Sequence, residues 1–166
     1  MTETIAILED DGTRIAAMES ALANVLPTVP VSFFDNAQQM IDWLQRHLPE
    51  VILISLDHDL PLRGPAGQII DCGTGRQVAD FLASIAPTCP VIVHSSNQYC
   101  APGMFFALKD AGWPCSRVYP CDDLSWIGGA WADQIASICA TATSSANIHR
   151  EVGEWGDVPA VLPRGG

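Results

Sequence analysis

The chain has 166 residues, 48% of them hydrophobic and 16% charged, with a formal net charge of −11 and a single lysine, Lys109. This length suits one domain burying roughly two-thirds of the surface of its extended chain, and the composition excludes a disordered chain. Acidity excludes an extended nucleic-acid groove or a hold on anionic membrane, because phosphate is gripped by clustered lysine and arginine.

No apolar run nears the roughly 20 residues of a bilayer span, and Met1-Thr2-Glu3-Thr4 lacks a signal peptide's basic region, so a cytoplasmic protein is expected. The six cysteines form no Cys-x-x-Cys pair and read as reduced, buried thiols.

Thr4 to Leu8 is a short β-type run that ends in Glu9-Asp10-Asp11-Gly12. Those carboxylates are a site candidate, or else a solvated turn leading into a helix. Ile15, Met18, Leu22 and Val25 then recur at helical spacing until Pro27 and Pro30 stop them. Val31 to Phe34 is the next strand. Asn36 and Gln39 make a capping box for a helix with the stripe Met40, Ile41, Leu44 and Leu48, closed by Pro49.

Ile52 to Pro61 is an apolar strand that delivers Asp57, His58 and Asp59 to its carboxyl end, the rim where open α/β sheets bind ligands. Residues 62–73 read as a long loop rich in glycine and proline, and such loops are often functional. Thr74-Gly75 caps a third helix, with Val78, Phe81, Leu82 and Ile85 as its stripe. Pro90 to Asn97 is a buried strand running into polar residues. Met104, Phe105 and Leu108 mark a fourth helix, Arg117 to Tyr119 a fifth strand, and Ile127, Trp131, Ile135 and Ile138 the last helix. Residues 1–140 are expected to form the domain and 141–166 an irregular tail, packed through Trp155.

Strands alternating with helices predict an α/β fold: a three-layer, doubly wound, five-stranded parallel sheet in the order 2-1-3-4-5. That order brings Glu9, Asp10 and Asp57 together. Carboxylates meeting without a cation repel, so the three are expected to share a divalent metal. Asp59 either joins them or caps the loop. His58 and His94 either move protons on a phosphoester or hold structural hydrogen bonds. Strand alternation points both histidines away from a site shared by Asp57 and Ser95 while the strands stay regular. Ser95, Ser96 and Asn97 bind phosphate or start a turn, and Arg63 and Arg76 clamp phosphate or stay solvated. Tyr119 reads as a packed aromatic.

Over about residues 3–140 the chain resembles the receiver domain of two-component response regulators, the CheY-like fold. The resemblance rests on Glu9-Asp10 ending strand 1, Asp57 followed by Pro61, Ser95 ending strand 4, and Pro120. Tyr119 stands where that family carries lysine. The resemblance implies Mg²⁺ on the carboxylates, phosphoryl transfer to Asp57 and a Ser95 hydroxyl donating to phosphate. Leu56 to Leu60, Asp71 to Gly75 and His94 to Asn97 are similar to a narrower group, the cyclic-phosphate processing receiver domain, which implies action on phosphate esters, including 2′,3′-cyclic phosphate ends.

The favoured expectation is a Mg²⁺-dependent site for a small phosphate ester or a nucleic-acid terminus. In it Asp10 and Asp57 hold metal with Glu9, Ser95 and Arg76 hold phosphate, and His58 or His94 handles protons. The rival is a stand-alone atypical response regulator, phosphorylated on Asp57 or docking a partner protein. The missing lysine counts against ordinary phosphorylation-driven switching. A third reading is a structural interaction domain that has lost the chemistry.

Overall fold

Largely apolar runs make strands that can be buried on both faces, and here they build the centre of the molecule. The computed structural model describes residues 3–63, 66–121 and 123–141, with the backbone alone for 61–63. Its elements are β1 (Thr4–Leu8), α1 (Gly12–Val25), β2 (Val31–Phe34), α2 (Ala37–His47), β3 (Val51–Leu56), β4 (Asp59–Arg63) and β5 (Ile69–Thr74). Then come α3 (Gly75–Ala83), β6 (Val91–Val93), α4 (Ala101–Asp110) and β7 (Cys115–Arg117), and a C-terminal helix over 125–141. Of the predicted tail, 141–166 with Trp155, residues 142–166 lie outside the described residues.

The main sheet is parallel, in the order β2-β1-β3-β6-β7, which is 2-1-3-4-5 over its five strands, as predicted. Alternation along each strand feeds two cores. Ala6, Leu8, Ile54, Leu56, Val91 and Val93 join the core that also takes residues of α2, α3 and α4. Ile5, Ile7, Leu53 and Ile92 join the core formed with α1 and the C-terminal helix.

Local signals set the helix ends. Asp11 caps α1 by accepting from the amides of Thr13 and Arg14 at 2.8 and 2.9 Å, and Asn36 caps α2 through the Gln39 amide at 3.0 Å. Thr74 is the N-cap of α3, with Gln77 Oε1 accepting from its amide at 3.1 Å. At the first position of α3, a β-carbon on Gly75 would stand 1.8 Å from the Asp57 carbonyl oxygen. Glycine is what lets α3 start against the end of β3.

Three expectations need correction. Residues 62–73 are a hairpin rather than a plain loop: β4 and β5 pair antiparallel, Asp59 opposite Thr74 and Arg63 opposite Ile69. The fifth sheet strand is Cys115–Arg117, two residues earlier than expected. Tyr119 thus falls beyond it and is 57% exposed instead of packed. The C-terminal helix is also unexpectedly kinked within Ile127–Trp131, where Gly129 has a non-helical backbone (φ −102°, ψ −108°). A break at glycine redirects the helix between its two halves, and Trp126 and Trp131, on either side of it, are both buried against the sheet.

Candidate functional site

The register of the sheet assembles the site. Leu8 pairs with Leu56, and Leu56 with Val93, so the next residues, Glu9, Asp57 and His94, emerge side by side. They continue the alternation of Ile7, Ser55 and Ile92, which faces α1 and the C-terminal helix. Backbone bonds hold the ends in line: the Asp57 amide donates to Leu8 O at 3.0 Å and the His94 amide to Leu56 O at 2.9 Å.

Glu9, Asp10 and Asp57 each offer a carboxylate oxygen within 4.8 Å of the others. Glu9 is fully buried. Its Oε1 accepts from the amides of Asp10 and Asp11 at 3.1 and 3.0 Å, while its Oε2 has no hydrogen-bond partner. Asp57 Oδ1 accepts from the His58 amide at 2.6 Å. Asp57 Oδ2 lies 3.3 Å from Arg14 Nη1, which is also 3.5 Å from Glu9 Oε2.

Beneath the carboxylates runs a buried polar chain. Trp131 Nε1 donates to Ser55 Oγ at 3.0 Å, and Ser55 Oγ lies 2.7 Å from His94 Nδ1. His94 Nε2 is 3.4 Å from Glu9 Oε2, close enough for electrostatic attraction although not aligned as a hydrogen bond. The His94 ring stacks on Trp126 with centroids 6.0 Å apart, and Arg14 lies 5.8 Å from the centroid of that same indole.

Charge follows from this geometry. Burial pushes the Glu9 carboxyl up, but His94, the Asp11 amide and Arg14 outweigh it, and its pKa settles below the ordinary value. Asp10 is pushed up to about 6, first by burial and then by the charge of Glu9. Burial also raises Asp57, and Glu9 adds to that, against the opposing pull of His94, the Ser95 hydroxyl and the His58 amide. Neighbouring carboxylates that resist full ionisation are a site that favours a cation. The donor set is all oxygen and includes a buried oxygen without a hydrogen bond, which fits Mg²⁺ or another hard divalent ion.

The remaining predicted residues lie in different settings. Ser95 is buried next to Asp57, and its Oγ accepts from the Asn97 amide at 3.2 Å. Asn97 Oδ1 accepts from the amides of Tyr99 and Cys100 at 3.2 and 2.9 Å, and Nδ2 donates to Asp59 Oδ2 at 3.1 Å. Ser96 is exposed. His58 Nδ1 lies 2.6 Å from Asp59 Oδ1, so Asp59 braces His58 and stands outside the carboxylate cluster. Arg76 pairs with Asp80 at 2.7 Å on the exposed face of α3. The side chain of Arg63 lies outside the described residues.

Two participants escaped the sequence reading. Arg14 was not singled out among the residues of α1. Its signal was its place in the first turn, where side chains tilt back toward the helix N-terminus and so toward the strand ends. Ser55, inside the apolar strand β3, was not singled out either.

The parallel sheet in this order, with acidic residues gathered at the ends of β1 and β3, defines a receiver domain of the CheY-like type. The chain belongs to the cyclic-phosphate processing receiver domain family, whose model matches residues 5–110. Among solved structures it is similar to the phosphorylated cyanobacterial phytochrome response regulator RcpA, at 21% identity and a TM-score of 0.65, covering 85% of this chain and 96% of that one. It is also similar to a response regulator receiver domain from Rhodospirillum rubrum, at 14% identity and a TM-score of 0.61, covering 82% and 94%. The Mn²⁺-bound response regulator Rcp1 resembles it at 16% identity and a TM-score of 0.56, covering 76% and 90%. No curated protein matches the chain. No helix among the described residues is long and apolar enough to cross a membrane.

Proposed function

We propose that this receiver domain binds Mg²⁺ at Glu9, Asp10 and Asp57 and uses it to bind and hydrolyse a phosphate ester, with a 2′,3′-cyclic phosphate as the favoured substrate. The observation that carries the reading is the carboxylate cluster: oxygens within 4.8 Å of one another, with Glu9 Oε2 buried and lacking a hydrogen-bond partner. A bound Mg²⁺ would supply Lewis-acid polarisation of the phosphate and neutralise its charge.

Each residue then has a task. Asp10 and Asp57, at the rim, offer oxygens to the metal, and Glu9 adds its own from below. Ser95, beside Asp57, donates its hydroxyl to a phosphate oxygen, with Ser96, Asn97 and Arg76 as further phosphate contacts. Hydrolysis of the cyclic ester adds water to phosphorus, breaks one P–O bond of the ring and returns a proton to the departing ribose oxygen. His58, with Nδ1 held by Asp59, has Nε2 left for that transfer. His94 is sealed from solvent and serves by fixing Glu9. The acidic surface limits the substrate to a small nucleotide or the end of a nucleic-acid chain.

A second reading is an atypical response regulator phosphorylated on Asp57, signalling through a partner protein. It is favoured by Asp57 ending the central strand with Oδ2 beside Arg14, which is how an accepting carboxylate would stand. Phosphorus NMR separates the two. A nucleoside 2′,3′-cyclic phosphate should yield a phosphomonoester with Mg²⁺ but not with chelator, and Asp57→Asn and His58→Ala should both stop it. An unchanged spectrum, together with a stable aspartyl phosphate from acetyl phosphate, would establish the second reading instead.

A further inference from the structure

Arg14 stands where a cation would. Its guanidinium lies between Glu9 and Asp57, two of the three clustered carboxylates. Both contacts run through one nitrogen, Nη1, at 3.5 and 3.3 Å. A well-seated arginine grips carboxylate with two parallel bonds of roughly 2.7–2.9 Å. The hold here is long and single, so most of the fork's capacity is unspent. The side chain is 24% exposed, and Trp126 supports the guanidinium at 5.8 Å from its ring centroid.

A divalent ion bonded to the same carboxylate oxygens would sit within a few ångströms of this fixed positive charge, and the two would repel. Both cannot hold Glu9 and Asp57 at once. Resting on the metal reading above, we infer that Arg14 is an exchangeable internal cation. It neutralises Glu9 and Asp57 until a divalent ion takes their oxygens. The released fork, still leaning on Trp126, then grips the phosphate anion that the ion brings. Arginine suits this second task because its planar donors match two phosphate oxygens at once.

The two halves give opposite signs in one variant. Mn²⁺ binding is measured by electron paramagnetic resonance for the full chain, Arg14→Ala, Arg14→Gln and Arg14→Lys, and inorganic phosphate binding by calorimetry at saturating Mg²⁺. Both neutral variants should bind Mn²⁺ roughly tenfold more tightly, less than the bare charge would give because Arg14 is partly solvated. They should bind phosphate at least about tenfold more weakly. Arg14→Lys keeps the charge without the fork, so it should hold Mn²⁺ within about twofold of the parent and still lose phosphate affinity. Unchanged or weaker Mn²⁺ binding in folded neutral variants would overturn the exchange and make Arg14 a fixed brace. Tighter Mn²⁺ with unchanged phosphate affinity would overturn the hand-over. Mn²⁺ bound by none of the four proteins would remove the metal reading itself.

Discussion

His94 reaches Glu9 from inside the protein: its Nε2 stands 3.4 Å from Glu9 Oε2, and neither side chain touches solvent. A buried carboxylate is tolerable only beside compensating charge and donors. His94 therefore belongs to the foundation of the carboxylate cluster.

Removing that support should be expensive. His94→Ala leaves the Glu9 carboxylate buried with less compensation and is expected to cost about 3 kcal/mol in urea denaturation. Ser55→Ala strips the partner from Trp131 Nε1 and should cost about 1–3 kcal/mol. A His94→Ala protein as stable as the parent would show that the pairing contributes nothing.

Gly75→Ala tests the join between β3 and α3. Its new methyl would meet the Asp57 carbonyl oxygen at 1.8 Å, and backbone cannot swing aside as a flexible side chain can. A loss of at least about 3 kcal/mol is expected, measured by the same denaturation, with divalent-ion binding weakened in whatever remains folded.

The carboxylates make stability depend on pH in a definite direction. Asp10 has a folded pKa of about 6 against an ordinary 3.8, so between those values the folded chain binds more protons than the unfolded one and stability falls as pH rises. Asp57, also raised, acts in the same sense. Glu9, lowered, acts oppositely, giving stability that is lost as pH falls through its folded pKa, below 4.5. Asp10→Asn should thus be stabilising near neutral pH and should shrink the stability difference between about pH 5 and pH 7. An unaltered difference would contradict the raised Asp10.

Thiol chemistry should follow burial. Burial pushes Cys89 up to about 11 and Cys115 up to about 12, whereas Cys121 is exposed. Near pH 8 a disulfide reagent should label Cys121 in the native protein and reach Cys89 and Cys115 only after denaturant is added. Early labelling of Cys89 would contradict the packing around it.

Four of the parallel strands were legible because each is a largely apolar run bounded by proline or acidic residues, and because parallel connections admit few topologies; the fifth, Cys115-Ser116-Arg117, is no apolar run, which is why it was placed two residues late. The hairpin was not legible. The glycines and proline of residues 62–73 read as loop, and pairing between Leu62 and Ile70 has no local signature. Parity misled the reading of His94, since Ser95 was taken as the partner of Asp57 when the register sets His94 there. Ser95 comes near Asp57 only beyond the end of β6. Arg14 was hidden because its importance lies in where α1 starts over the sheet, a tertiary fact that periodicity does not carry. The kink at Gly129 was hidden likewise, since Trp126 and Trp131 do not share a face of a regular α-helix.

The most direct test of the carboxylate site is a Mg²⁺ titration followed by amide and indole NMR. The amides of Asp10 and Asp11 bond to Glu9, and that of His58 bonds to Asp57, so each reports on a carboxylate that would hold the ion. These three signals should shift together and saturate at one ion per chain, with smaller shifts at the Trp126 and Trp131 indoles, and Asp57→Asn should abolish the response. A folded protein whose Asp10, Asp11 and His58 amides ignore Mg²⁺ would contradict the metal site and the function built on it.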